Sequence, residues 1–149
     1  MELKIPPPLW MLLSATLMWS LSLIEIEELI IPNDLPMVLP FAVAGICTIL
    51  AGVWAFHRAG TTVNPHHPER TSTIVDTGIY RITRNPMYLG MALLLVAWAV
   101  HLGHLFAWAG IPFFMTCLSH WQIRPEEQAL ARKFGYAWNA YCNRVRRWL

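Results

Sequence analysis

The chain has 149 residues, 56% of them apolar and only 13% charged, with eight Trp, eleven Pro and a formal net charge of +2. A mean hydropathy of +0.41, with the apolar residues in blocks of about 16 to 20 rather than in amphipathic runs, excludes a soluble enzyme. Low charge and high aromatic content exclude disorder, and 8 Gly and 3 Cys exclude a collagen-like or disulfide-built scaffold.

In chain order, the apolar blocks occupy residues 9–24, 37–56 and 87–123. Leu102-Gly103-His104 divides the last of them into a hairpin of 87–102 and 105–123. Four helical spans result, so the sequence predicts an all-α integral membrane protein of one domain over residues 1–149. The charges set its orientation. Residues 1–56 hold Lys4 against Glu2, Glu25, Glu27, Glu28 and Asp34, whereas the loop 57–86 carries Arg58, Arg70, Arg81 and Arg84 against Glu69 and Asp76. Residues 85–123 contain no Asp, Glu, Lys or Arg. The segment after them is basic again, with Arg124, Arg132, Lys133, Arg144, Arg146 and Arg147 against Glu126 and Glu127. Basic segments stay in the cytoplasm, which puts the loop 57–86, the C-terminal segment and both termini on that side. The first span and each hairpin arm offer only about 16 apolar residues, roughly 24 Å of helix against a hydrocarbon core of about 30 Å. The first block runs into Glu25-Ile26-Glu27-Glu28 with no small-residue cleavage site and is expected to be a retained anchor. Cys47, Cys117 and Cys142 have no evident disulfide partners and are expected to be reduced.

Two polar segments can hold chemistry. The first is Gly78-Ile79-Tyr80-Arg81-Ile82-Thr83-Arg84-Asn85-Pro86-Met87-Tyr88-Leu89-Gly90, which opens the third span. Asn85 suits a helix N-cap, Pro86 an N1 position, Tyr88 an interfacial aromatic belt, and Arg81 and Arg84 the positive-inside bias. The same residues also make a helix N-terminus flanked by guanidinium groups, a site for a carboxylate, with Gly90 letting a ligand approach the backbone.

The second segment is the tail. Glu127, Leu130, Phe134, Trp138, Tyr141, Val145 and Trp148 recur at steps of three and four, with Arg132, Asn139, Asn143, Arg146 and Arg147 opposite. The pattern predicts one amphipathic helix over 125–149 at the membrane surface, its basic face toward anionic headgroups. Glu126 and Glu127 follow Pro125 in what reads as a first helical turn, where the helix dipole alone accounts for them. Among the histidines, His101 and His104 bracket the outer turn, His66 and His67 lie in a Pro-rich loop, and His57 and His120 sit near span ends. No pair is placed mid-membrane on facing helices, so neither haem nor a metal is expected. No phosphate-binding loop, dinucleotide glycine motif or Ser-His-Asp set is present, and no nucleic-acid partner is expected.

The run from Gly78 to Gly90, the Glu126-Glu127 pair about 35 residues later, then Phe134-Gly135, Tyr141 and Arg144-Val145 together resemble the isoprenylcysteine carboxyl methyltransferase family, whose relatives include phospholipid N-methyltransferases. The resemblance covers roughly residues 60–149, while the first two spans match only in architecture. It implies a membrane methyltransferase that uses S-adenosylmethionine, held at the cytoplasmic face between the start of the third span and the C-terminal helix. Arg84, Pro86, Tyr88 and Gly90 fall on its first motif, and Glu126, Glu127, Phe134, Tyr141 and Arg144 on its second. Asn85 stands where the eukaryotic enzymes have His, and Trp138 where Tyr is more usual. Under this resemblance Arg84 and the helix N-terminus at Asn85 to Met87 bind the cofactor's carboxylate. Glu126 or Glu127 meets its ammonium or a ribose hydroxyl, and Tyr88, Phe134 and Tyr141 wall the adenine and sulfonium. Glu127, Glu126 and Arg144 are the catalytic candidates. The acceptor is expected to be a lipid or small apolar molecule arriving through the bilayer, in a bacterial inner membrane with the site facing the cytoplasm. A noncatalytic lipid-binding unit, a haem bundle and a reductase are the competing readings, the last because the C-terminal part of sterol reductases resembles this architecture.

Overall fold

The computed structural model describes residues 5–24, 26–31, 33–60 and 73–149. Lys4, Glu2, Glu25, His66, His67, Glu69 and Arg70, with the charge readings placed on them, lie outside the described residues. Among the described residues every regular element is helical: α1 (Pro7–Ser22), α2 (Leu35–Arg58), α3 (Pro86–Leu102), α4 (Gly110–Leu118), α5 (Arg124–Phe134) and α6 (Tyr136–Arg144). The apolar blocks of the sequence lie on helix except at Leu23-Ile24 and Gly103-His104.

Among the described residues, only α2 is long and apolar enough to cross a membrane, by length and composition. Little of it is buried, and Phe41, Val43, Ile46, Leu50, Val53 and Trp54 stand on its open faces. A sheath of apolar side chains this continuous is what lipid, not water, would surround. At 16 and 17 residues, α1 and α3 are shorter. The hydroxyls of α1 bond within their own helix, Ser14 to the carbonyl of Trp10 at 2.8 Å and Ser20 to that of Thr16 at 2.9 Å, as polar groups in an apolar surrounding must.

The helices run alternately up and down. At one end, the α1–α2 connection meets the α3–α4 turn, where the N–H of Ile31 donates to the carbonyl of Gly103 at 2.7 Å and Asn33 Nδ2 to that of His101 at 2.7 Å. At the other end Trp10 of α1 stacks on Trp121, with ring centroids 5.2 Å apart. The main core lies between α1, α3 and α4, where Met18, Leu95, Phe114, Leu118 and Ile123 are almost wholly buried.

α2 packs on α3 through two glycines. A Cβ on Gly90 would lie 2.6 Å from the carbonyl oxygen of Gly45 and 2.6 Å from Ile49, and one on Gly45 would lie 2.8 Å from the carbonyl oxygen of Gly90. Gly90 therefore admits the neighbouring helix's backbone, the small-residue contact of membrane helices, and not a ligand as the sequence suggested. Gly90→Ala should destabilise the fold by about 1–3 kcal/mol, seen as a lowered melting temperature in detergent, because backbone cannot yield as a side chain can. An unchanged melting temperature would mean that this crossing is looser than it is drawn.

The single tail helix expected over 125–149 is two helices. α5 ends at Gly135, whose φ of +51° and ψ of −119° few other residues adopt, and α6 stops at Arg144, with Val145 extended. Between α4 and α5 the backbone stays right-handed helical through a π-helical turn at Ser119–Ile123. The ring of Pro125 would strike the carbonyl of residue 121 in a regular helix, and the wider turn before it gives the room. Glu126 and Glu127 thus sit on a continuing helical rod, so a free helix N-terminus does not account for them.

Candidate functional site

The connection into α3 is stitched to the end of the chain. Thr83 is buried and forms a parallel bridge with Arg146. The N–H of Arg84 donates to the carbonyl of Arg146 at 3.0 Å. The carbonyl of Arg147 accepts from Thr83 Oγ1 at 3.2 Å and from Asn85 Nδ2 at 2.9 Å. Asn85 therefore spends its side chain on the tail and makes no side-chain cap to α3, while Pro86 takes the first turn and packs beside Gly52 of α2.

This stitching brings the two polar segments together. Glu127 sits between two guanidinium groups, with Arg84 Nη2 at 3.2 Å and Arg147 Nη2 at 2.6 Å, and Arg147 Nε adds a second bond at 3.1 Å. The side chains of Arg84 and Glu127 are only 13% and 16% exposed, so this pairing is strong compared with a surface ion pair. Arg84 also contacts the Cys142 sulfur through Nη1 and lies over the ring of Trp138, 6.0 Å from its centroid. Its Nε is buried without a hydrogen-bond partner. Burial pushes the Cys142 thiol up, with Arg84 holding it back, so the sulfur stays protonated at neutral pH.

Beside this trio, Glu126 accepts from Tyr88 Oη at 2.8 Å and from Gln122 Nε2 at 2.5 Å, both on Oε1. Burial pushes its carboxyl up to about 7, the bonds from Gln122 and Tyr88 restrain the rise, and the charge of Glu127 adds to it. A group that changes protonation near neutrality is fitted to accept or give a proton. Tyr141 donates to the carbonyl of Tyr80 at 2.8 Å, and burial raises its phenol further above the usual range. Phe134 packs against the buried cluster of Trp138, Tyr141 and Val145.

Arg84, Asn85, Tyr88, Glu126 and Glu127 thus meet in one place, with Phe134 and Tyr141 in the aromatic packing behind Arg84. Gly90 and Pro86 face α2. Arg144 stands apart at an exposed edge, 3.6 Å from Asp76. Sequence reasoning missed Gln122, Thr83 and Arg147. Gln122 had a signal, since it is an amide inside a charge-free apolar block, one turn before Glu126. Arg147 was assigned to a lipid-facing basic stripe and instead turns inward to Glu127.

Residues 37–137 match the family described as phospholipid methyltransferase. The chain belongs to this family. It takes in the isoprenylcysteine carboxyl methyltransferases, so the resemblance carried by the two motifs holds. Three relatives of this chain are informative. An uncharacterized protein of Haemophilus influenzae is 43% identical over 63 residues, its whole length and 42% of this chain. A Delta(14)-sterol reductase of Mus musculus is 35% identical over 74 residues, 48% of this chain and 18% of the reductase. A Delta(14)-sterol reductase of Gallus gallus is 30% identical over 129 residues, 74% of this chain and 20% of the reductase. The chain thus spans about a fifth of either reductase. No solved structure matches it. Membership of the phospholipid methyltransferase family supports a membrane-associated enzyme, of the methyltransferase kind or related to the sterol reductases.

Proposed function

We propose that the protein transfers a methyl group from S-adenosylmethionine to an apolar or lipid-like acceptor where the bilayer meets the cytoplasm. The observation that supports this reading is the contact between the two motifs, Arg84 with Glu127 at 3.2 Å and Tyr88 with Glu126 at 2.8 Å. The cofactor carries a carboxylate, an ammonium and a sulfonium, so its site needs both signs of charge within one ligand's length. The cluster offers them. Two guanidinium groups share one carboxylate, leaving a positive excess for an anion, and the buried Arg84 Nε is a donor in want of an acceptor. Both hydrogen bonds to Glu126 land on Oε1, which leaves Oε2 for an ammonium or hydroxyl.

Bound there, the cofactor supplies an activated methyl group. The chain's own residues bind, orient and keep out water. Arg84 holds the carboxylate end, and Glu127, with its oxygens taken by Arg84 and Arg147, acts as a positioning residue. Tyr88 and Gln122 fix the Glu126 carboxyl, which takes the proton from an acceptor amine. In this reading α1, α2, α3 and the rod of 105–123 are four spans with both termini in the cytoplasm. The basic segments bearing the cluster then lie at the inner leaflet, where a soluble cofactor and a lateral acceptor meet.

A second reading, a reductase, is favoured by the 129-residue match to the Gallus gallus enzyme. Calorimetry of the full chain in detergent separates the two. S-adenosylhomocysteine should give saturable one-to-one binding and NADPH none, and labelled methyl from the cofactor should then enter a total lipid extract. Saturable NADPH binding with no response to S-adenosylhomocysteine would carry the protein to the reductases.

A further inference from the structure

A cleft of about 370 Å³ lies beside Trp148, the neighbour of the Arg147 that Glu127 holds. One wall is a face of the rod that runs from α4 into the π-helical turn, where Pro112, Met115 and Ser119 follow one another at helical spacing. Trp148 forms the opposite wall and donates its indole N–H to Ser119 Oγ at 3.3 Å, while its neighbour Arg147 is held by Glu127. At the foot of the cleft stand His120 and Arg124, with His120 Nδ1 and Arg124 Nη1 3.5 Å apart. The cleft is an apolar slot along the helix that ends in a basic pair.

The charges around this slot decide what it takes. Among the described residues no carboxylate is within ion-pair distance of Arg124. Glu127 is committed to Arg84 and Arg147, Glu126 is bonded to Tyr88 and Gln122, and no acidic side chain lines the cleft. The guanidinium therefore keeps its charge for a ligand. From Pro112 to Arg124 the helical rod rises about 18 Å, room for an anionic head at Arg124 and the first stretch of a hydrocarbon chain along α4. With no carboxylate to hold an ammonium, a zwitterionic headgroup gains the phosphate contact but leaves its cation unmatched.

We propose that this cleft is a binding site for an anionic phospholipid, its phosphate held by Arg124 and His120 and its acyl chain laid against Pro112, Met115 and Trp148. The site is separate from the Arg84–Glu127 cluster and stands whichever reaction that cluster performs.

Native mass spectrometry of the full chain, released from nanodiscs of equal phosphatidylglycerol and phosphatidylcholine, tests it. The wild type should retain one phosphatidylglycerol about fivefold or more in preference to phosphatidylcholine, the scale expected for one basic residue near an anionic surface. Arg124→Gln combined with His120→Gln should bring the preference near parity. Thr116→Phe, which fills the cleft without touching a charge, should lower retention of both lipids. Arg132→Gln, on an exposed stretch of α5, should leave the preference unchanged. A wild type with no preference, or an Arg132→Gln loss as large as that of the double variant, would overturn the site. So would a double variant that keeps the wild-type preference. Retention of S-adenosylhomocysteine by the same samples, read separately, reports on the cluster, so failure of one site is told apart from failure of the other.

Discussion

Arg84→Ala is expected to lower affinity for S-adenosylhomocysteine by about ten- to a hundredfold, the worth of hydrogen bonds to a charged group in a partly buried site. The substitution removes both the guanidinium that balances Glu127 and the buried Nε donor. Glu127 keeps Arg147 at 2.6 Å, so the carboxylate is not stranded and the chain should still fold. Arg84→Lys is the informative companion. It restores the charge but not the fork that reaches Glu127 and Cys142 together, and it should recover only part of the affinity. Calorimetry on both variants, with melting temperature as the folding control, reads the result. Wild-type affinity in Arg84→Ala would remove the carboxylate end of the ligand from this position.

Glu126→Gln should reduce turnover by about a hundredfold and lower S-adenosylhomocysteine affinity by less than Arg84→Ala does, since the amide oxygen still accepts from the ligand. The amide keeps the shape and an acceptor for Tyr88 but accepts no proton. The variant also changes how stability depends on pH. The Glu126 carboxyl is raised from 4.5 to about 7 in the fold, so between those values the folded protein binds more protons than the unfolded chain. Its contribution to stability is full below about pH 4.5, declines as pH rises through 7 and is level above. Wild-type activity should rise over the same interval as the base ionises. Melting curves from pH 5 to 8 should show a downward trend in the wild type that Glu126→Gln flattens. Equal slopes, or unchanged turnover, would take Glu126 out of the proton-handling role.

Much of the helical framework was written in the placement of charge. An uncharged stretch over 85–123 cannot be a solvated loop, and its interruption at Leu102-Gly103-His104 is where α3 ends. The candidate site was legible in part, because Arg84, Tyr88, Glu126 and Glu127 are polar groups of opposite sign at the two ends of that stretch. What escaped was whatever depends on the facing partner. Gly90 is a permissive residue in any context, and only the approach of Gly45 shows what the permission is for. Arg147 fitted a basic stripe until Gly135 broke the helix and turned the tail back on Thr83 and Asn85. Phe134-Gly135 after Lys133 was itself a helix-stop signal, outweighed by a hydrophobic period that ran on past it. The π-helical turn left no composition signal, since Ser119 to Ile123 fit an ordinary helix equally well.

That turn sets the phase of the chemistry. A regular helix advances about 100° per residue, so the surplus residue stored at Ser119–Ile123 rotates everything beyond it about the rod's axis by roughly that angle. Glu126 faces Tyr88, and Glu127 faces Arg84, because of this offset. The rod's first half can follow the demands of its packing against α1 and α3 while its second half keeps two adjacent carboxylates aimed at the start of α3, a division of labour timed by one amino acid.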